Sequence, residues 1–246
     1  MNKDIKKIIK EKGYWRIVIR PTQSFYQENR FEISELEKII EDNRVCLRGW
    51  DYPFIDRNDV KIIDQNIISS ECNFNGHIEH WEFTTSGQFA HIFSMNEDYI
   101  IDKKKADEIK SGFIFNKDKA RNINKFFETV SAVYRFTEIY LFASNLAQLN
   151  KYSNVGEFEI IIELNDVKDR LLFIWDWVRD LWSPYICSFD EGKISYIERY
   201  KKEDLIARFD SYSLKKAIKT FQLFGWQNPS EQALQGDQKK LLERRL

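Results

Sequence analysis

Apolar residues recur along this 246-residue chain with two periods, and the switches between them divide it into elements. Ile5, Ile8 and Ile9 have helical spacing with Lys between them, which predicts a short amphipathic helix over 3–12, ended by Gly13. Trp15, Ile17 and Ile19 then alternate with Arg16 and Arg20, the pattern of a half-buried strand, and Pro21 stops it. Ile33, Leu36, Ile39 and Ile40 predict a second helix with Ser34 near its start. A short strand over Val45 to Leu47 leads into a turn at Arg48-Gly49-Trp50-Asp51. β-Branched residues predict strand over 60–74. Residues 77–83 and 88–94 read as a hairpin, its turn within Thr84-Thr85-Ser86-Gly87. Residues 96–117, with Lys103-Lys104-Lys105, read as a loop or short helix.

From Asp118 to Asn150 the period becomes helical. Ile123, Phe126, Phe127, Val130, Tyr134, Thr137 and Leu141 trace one broad face, expected to pack across the sheet. Glu157 to Leu164 alternates again, with Phe158, Ile160, Ile162 and Leu164 inward. Leu171 to Trp182 is apolar and aromatic, and strand and helix both fit. Ile194 to Tyr200 reads as strand. Lys202 to Arg208, Ser213 to Phe224 and Ser230 to Arg245 read as three helices, with Ser213 as an N-cap, Gly225 as a C-cap and Pro229 before the last start. The expected fold is α+β: an antiparallel sheet crossed by a long helix, with a helical C-terminal part. Residues 1–200 form the α+β domain, and 201–246 a basic helical part packed on it.

Composition narrows the function classes. Aromatic residues make up 15% of the chain, enough for a core or groove of large flat side chains. No apolar run of membrane-spanning length occurs, and the N-terminus lacks the apolar segment of a signal peptide, so neither a membrane partner nor secretion is expected. Cys46, Cys72 and Cys187 are far apart and odd in number, which favours a reducing cytoplasm over a disulfide framework. Richness in Lys, Ile, Asn and Phe points to an AT-rich bacterial genome. The net charge is −1, but residues 193–246 hold 12 Lys and Arg against 7 Asp and Glu, leaving 26 against 32 before them. A basic end on an acidic body favours a contact with a polyanion or an acidic protein there.

All three histidines lie between 77 and 91. With a two-residue turn at Ser86-Gly87, Glu82 lies opposite His91; with a four-residue loop, His80 does. Under either register His80, Glu82 and His91 share one face. Two imidazoles and a carboxylate suffice for a divalent metal with open positions, or Glu82 orients His91 as a general base. The competing account is a cross-strand polar cluster. Phe89 and Phe93 on the same face favour a pocket wall. Glu157, Glu159 and Glu163 form either a hard-cation site or a solvated strand face. Phe173, Trp175, Trp177 and Trp182 form either a base-stacking surface or a core cluster.

The most unusual local string is Arg48-Gly49-Trp50-Asp51-Tyr52-Pro53. Arg48, Trp50, Asp51 and Tyr52 are candidate binding residues; the alternative is a structural turn tied by an Arg48–Asp51 pair. On the helix from Ser213, Leu214, Ala217, Ile218, Phe221 and Phe224 form the buried stripe. Lys215, Lys216 and Lys219 are then directed to solvent, as candidates for nucleic acid or as ordinary surface. Lys239, Lys240, Arg244 and Arg245 follow on the next helix.

Leu47-Arg48-Gly49-Trp50-Asp51-Tyr52-Pro53, followed by Trp81 and Ser86-Gly87-Gln88-Phe89, resembles a poorly characterised bacterial domain. Such domains accompany Schlafen-type ATP- or nucleic-acid-binding modules in defence or regulatory clusters. The resemblance covers residues 45–95, and Phe224-Gly225-Trp226 loosely. It implies no activity and no catalytic residue. The sequence thus predicts a non-catalytic accessory or sensor module of a bacterial, anti-phage defence type, with a protein partner or nucleic acid as ligand. The alternative is a metal-assisted hydrolase or nuclease using His80, Glu82 and His91, with a divalent metal as cofactor.

Overall fold

The alternation Trp15-Ile17-Ile19 places strand β1 (Tyr14–Pro21) at the centre of the molecule, because three large apolar side chains on one face can only be buried together. A computed structural model describes residues 4–22, 30–56, 59–176 and 179–245. In it β1 pairs antiparallel with β5 (Phe89–Ser94) on one side and β7 (Glu157–Asn165) on the other. Beyond β5 lie β4 (His77–Thr84), β3 (Ile67–Phe74) and β2 (Lys61–Asp64); beyond β7 lies β9 (Lys193–Lys201). The result is a seven-stranded antiparallel sheet in the order β2-β3-β4-β5-β1-β7-β9. Residues 60–74 therefore form two strands of a hairpin where one was expected. Strands β6 (Lys125–Glu128) and β8 (Arg170–Phe173) make a separate parallel pair; of the described residues in the open stretch Leu171 to Trp182 only the first three are strand, and residues 174–176 and 179–182 are neither strand nor helix.

One face of the sheet carries Trp81, His91, Ile17, Ile162 and Tyr196 in a single cross-strand row. Helix α1 (Ile5–Lys10) packs against β4 and β5, and α2 (Leu36–Asn43) precedes the Arg48 turn. Helices α3 (Glu97–Ile100) and α4 (Lys103–Gly112) fill the charged stretch. The long helix is α5 (Thr129–Ala147), shorter than its pattern implied: Phe126 and Phe127 belong to β6, and the Glu128 side chain caps the helix. Phe136, Phe142 and Tyr140 of α5 meet Trp15, Phe89 and Tyr200 on three strands, so the helix does cross the sheet.

Helices α6 (Lys202–Leu223) and α7 (Glu231–Leu242) pack on α5. The expected helices 202–208 and 213–224 are one helix, kinked at Arg208 (φ −137°, ψ 22°). Ser213 is consequently interior; its hydroxyl donates to the Asp210 carbonyl at 2.8 Å instead of capping a start. The fold is α+β with an antiparallel sheet. Among the described residues no helix is long and apolar enough to cross a membrane.

Candidate functional site

The β4–β5 turn decides where the histidines point. Phe83 pairs with Phe89 and Trp81 with His91, while the Thr84 N–H donates to the Gln88 carbonyl at 3.0 Å. The connection is thus Thr85-Ser86-Gly87, three residues, with Gly87 at φ +78°. An odd loop shifts the pairing by one relative to both expected registers, and one residue of shift exchanges the faces of a strand. His91 therefore lies on the opposite face from His80 and Glu82. The three-residue metal or general-base set is corrected: it is not assembled. Among the described residues no group of three His, Cys, Asp or Glu side chains could hold a metal ion.

Each face instead holds its own His–Glu pair. On the outer face His80 Nε2 lies 3.1 Å from Glu82 Oε1, and Lys6 of α1 reaches the same oxygen at 2.5 Å. The His80 contact and Lys6 together outweigh burial and hold the Glu82 carboxyl down to about 2. On the inner face His91 Nε2 lies 2.9 Å from Glu79 Oε2. Burial pulls His91 below its ordinary value despite Glu79, so the neutral ring donates from Nε2. Burial pushes Glu79 up, but its contacts to His91 and Trp50 prevail, and the carboxyl ends below its ordinary range. The other Glu79 oxygen accepts the Trp50 indole N–H at 2.7 Å, and the Phe54 N–H reaches Oε2 at 3.3 Å. The inner pair is thus the anchor of the Arg48–Phe54 turn.

Within that turn the candidates separate. The Arg48–Asp51 pair does not form: Asp51 pairs with Arg44 at 3.3 Å. Arg48 instead forks onto Glu138 of α5 at 2.6 and 2.8 Å, with the Glu138 side chain fully buried. Tyr52 is core, packed against His91, Phe93 and Phe142. Trp50 stacks on Phe54 and His77, with ring centroids 4.3 Å from each.

Arg48 and Trp50 line a pocket of about 640 Å³ that also takes in the start of α5, the stretch after β8, and Asp237 and Lys240 of α7 with Arg245 beyond it. Several of its residues escaped sequence reasoning. Arg135 sits one turn before Glu138, donates to its Oε2 at 3.3 Å and lies over the Phe93 ring. Burial, reinforced by Arg48, lowers its pKa from the ordinary arginine value. Arg179 bridges Asp176 and Asp237 at 2.7 and 2.9 Å, tying the segment after β8 to α7. Glu97 and Glu128 are pushed up by burial, and both accept backbone N–H bonds. Charges spaced three apart in the apolar run of α5 were the available signal for Arg135 and Glu138. Trp175, named as a stacking candidate, stands at the mouth, 53% exposed. Trp182 is exposed elsewhere, Phe173 is buried, and Trp177 lies outside the described residues.

The C-terminal lysines divide. Lys215 and Lys219 are exposed on α6 as expected. Lys216 is not: 7% exposed, it pairs with Glu198 and covers the Tyr196 ring, both from the middle of β9. None of the three borders the pocket; Lys240 and Arg245 do. Two of the three β7 glutamates are salt-bridged, Glu159 to Arg20 and Arg199 and Glu163 to Arg16 and Lys193. Comparison with protein-family models, with curated proteins and with solved structures gave no match.

Proposed function

We propose that this protein is a non-catalytic accessory or sensor module that binds nucleic acid through the pocket between the Arg48–Trp50 turn and α7. The observation that carries the reading is convergence. The two segments that stood out separately in the sequence, the Arg-Gly-Trp-Asp-Tyr-Pro turn and the basic C-terminus, contribute Arg48, Trp50, Lys240 and Arg245 to one cavity. Guanidinium groups beside aromatic rings are the chemistry that holds phosphates and stacks bases. The bacterial defence setting rests on the likeness of residues 47–53 to domains that accompany Schlafen-type modules. A cytoplasmic setting rests on three free cysteines, Cys46, Cys72 and Cys187.

A protein partner is the second reading. It is favoured by Ile114, Phe115 and Trp182, all more than half exposed and joined through the Trp182 carbonyl.

The test is binding of a labelled single strand and a labelled duplex at low and moderate salt. Wild type is expected to bind the single strand, with affinity falling as roughly the 0.7 power of salt per phosphate neutralised. Trp175→Ala and Lys240→Glu should weaken binding, and Lys215→Glu with Lys219→Glu should leave it unchanged. Wild type binding neither form at low salt, or sensitivity confined to Lys215 and Lys219, contradicts the proposal.

A further inference from the structure

Arg135 is a part-buried pocket residue with unused hydrogen-bonding capacity among the described residues. A guanidinium carries about five N–H donors. Among the described residues Arg135 commits one, at 3.3 Å, to an oxygen of Glu138 that Arg48 already holds at 2.8 Å. Its guanidinium carbon lies over the Phe93 ring, 5.3 Å from the ring centre. The remaining N–H groups are the donors with which arginine matches a phosphate or carboxylate, and Arg135 borders the pocket.

The carboxylates around the pocket are differently placed. Asp176 and Asp237 are held by Arg179. Glu128 accepts the backbone N–H groups of Ser131 and Trp175, and Glu97 accepts that of Glu128. These carboxylates are engaged, as are Arg48 and Arg179, while Arg135 keeps donors to spare, which favours an anion over a cation.

Depth then orders the ligand. Arg135 is the inner group, with its side chain 16% exposed, while Trp175 at 53% and Lys240 stand at the mouth. We infer that the pocket takes a nucleotide ending in a phosphate monoester, its phosphate inward on Arg135 and its base outward against Trp175. An internal phosphodiester has chain on both sides, and both arms would have to leave through one mouth; a terminal phosphate has a single arm. A free nucleoside monophosphate and a phosphorylated strand end share this chemistry. The cavity, about 640 Å³, lies within the roughly 300–1,000 Å³ of small-ligand sites. The inference rests on the pocket being the recognition site proposed above, but it can fail while that reading stands.

The experiment titrates the protein with adenosine and cytidine monophosphates, adenosine, inorganic phosphate, and one short single strand with a phosphorylated or a hydroxyl end. Calorimetry and tryptophan fluorescence read the binding. The monophosphates are expected to bind saturably, at least about ten-fold tighter than adenosine or phosphate alone. The phosphorylated strand should exceed the hydroxyl-ended one by a similar factor. Arg135→Gln should lower affinity for phosphorylated ligands by about ten-fold or more and spare the hydroxyl-ended strand. Trp175→Ala, at an exposed position that leaves the fold intact, should weaken all nucleotide ligands but not phosphate. If Arg135→Gln fails to fold, the wild-type ligand comparison and Trp175→Ala decide the matter.

Absence of monophosphate binding, with strand binding indifferent to the end group yet lowered by Trp175→Ala, overturns this inference and keeps the proposed function. Absence of both removes both. Preference for a peptide with a free C-terminal carboxylate over any nucleotide also overturns it.

Discussion

Glu138 is the residue on which the site depends most. Its buried carboxylate takes the Arg48 fork and the Arg135 contact, so two guanidiniums share one anion. Removing one member of a buried charge group leaves the others unsolvated and unpaired, at about 3–5 kcal/mol. Arg48→Met is expected to lose about 3 kcal/mol in urea unfolding, and Glu138→Gln more, because it strands two cations. Losses below about 1 kcal/mol for both would show the pairing to be incidental.

His77 supplies a pH signature. Burial, with Arg135 nearby, pulls its pKa from the ordinary 6.5 to about 4, and Asn96 holds the neutral ring at 2.9 Å. As pH falls through 6.5 the unfolded chain takes up the proton first, so the stability from the neutral ring is full above 6.5 and is lost between there and 4. His91 is depressed in the same direction. Glu79 and Glu82, whose folded values lie below 4.5, lose their contributions only below that pH. The urea midpoint is therefore expected to fall between pH 7 and 5, and to fall less in His77→Asn. An identical slope in the variant would remove His77 from the acid response.

At the scale of elements, alternation along β1, β7 and β9 was legible because each strand buries one face and the period of two is read directly. The turn between β4 and β5 was not. Its composition announced a turn, but a loop of two, three or four residues differs only in which partner Gln88 finds, and that choice set the parity of His91. The break before α5 was hidden likewise, because Phe126 and Phe127 continue the helical stripe while pairing with β8. The sequence pattern makes Gly13 a helix stop. Its stricter role is space: a Cβ there would lie 2.0 Å from Arg170 Nη2. That guanidinium is fully buried and holds Asp98, the Phe126 carbonyl and the Asp166 carbonyl. Gly13→Ala must displace it, and thermal unfolding should report a loss of about 3 kcal/mol. A loss under about 1 kcal/mol would mean the junction relaxes freely.

Across the whole molecule, the sheet, α5 and α7 bring together residues nearly two hundred positions apart. The sequence marked Arg48 and Trp50 by their setting and Lys240 and Arg245 by charge, but one-dimensional spacing does not show that α7 folds back beside the Arg48 turn. Arg135 stayed obscure for the same reason: its contacts are long-range, to Phe93 and, through Glu138, to Arg48. Lys215 and Lys219, more conspicuous in sequence, do not line the pocket, and Lys216 is paired with Glu198. On the proposed function, nucleic acid is held in the pocket and not at Lys215 and Lys219. Ultraviolet cross-linking of a bound single strand, followed by peptide mass spectrometry, reads the contact directly. Cross-links are expected at Trp175 and in the peptides carrying Trp50 and Lys240. Cross-links confined to the Lys215–Lys219 stretch, or none from a strand shown to be bound, would contradict the account.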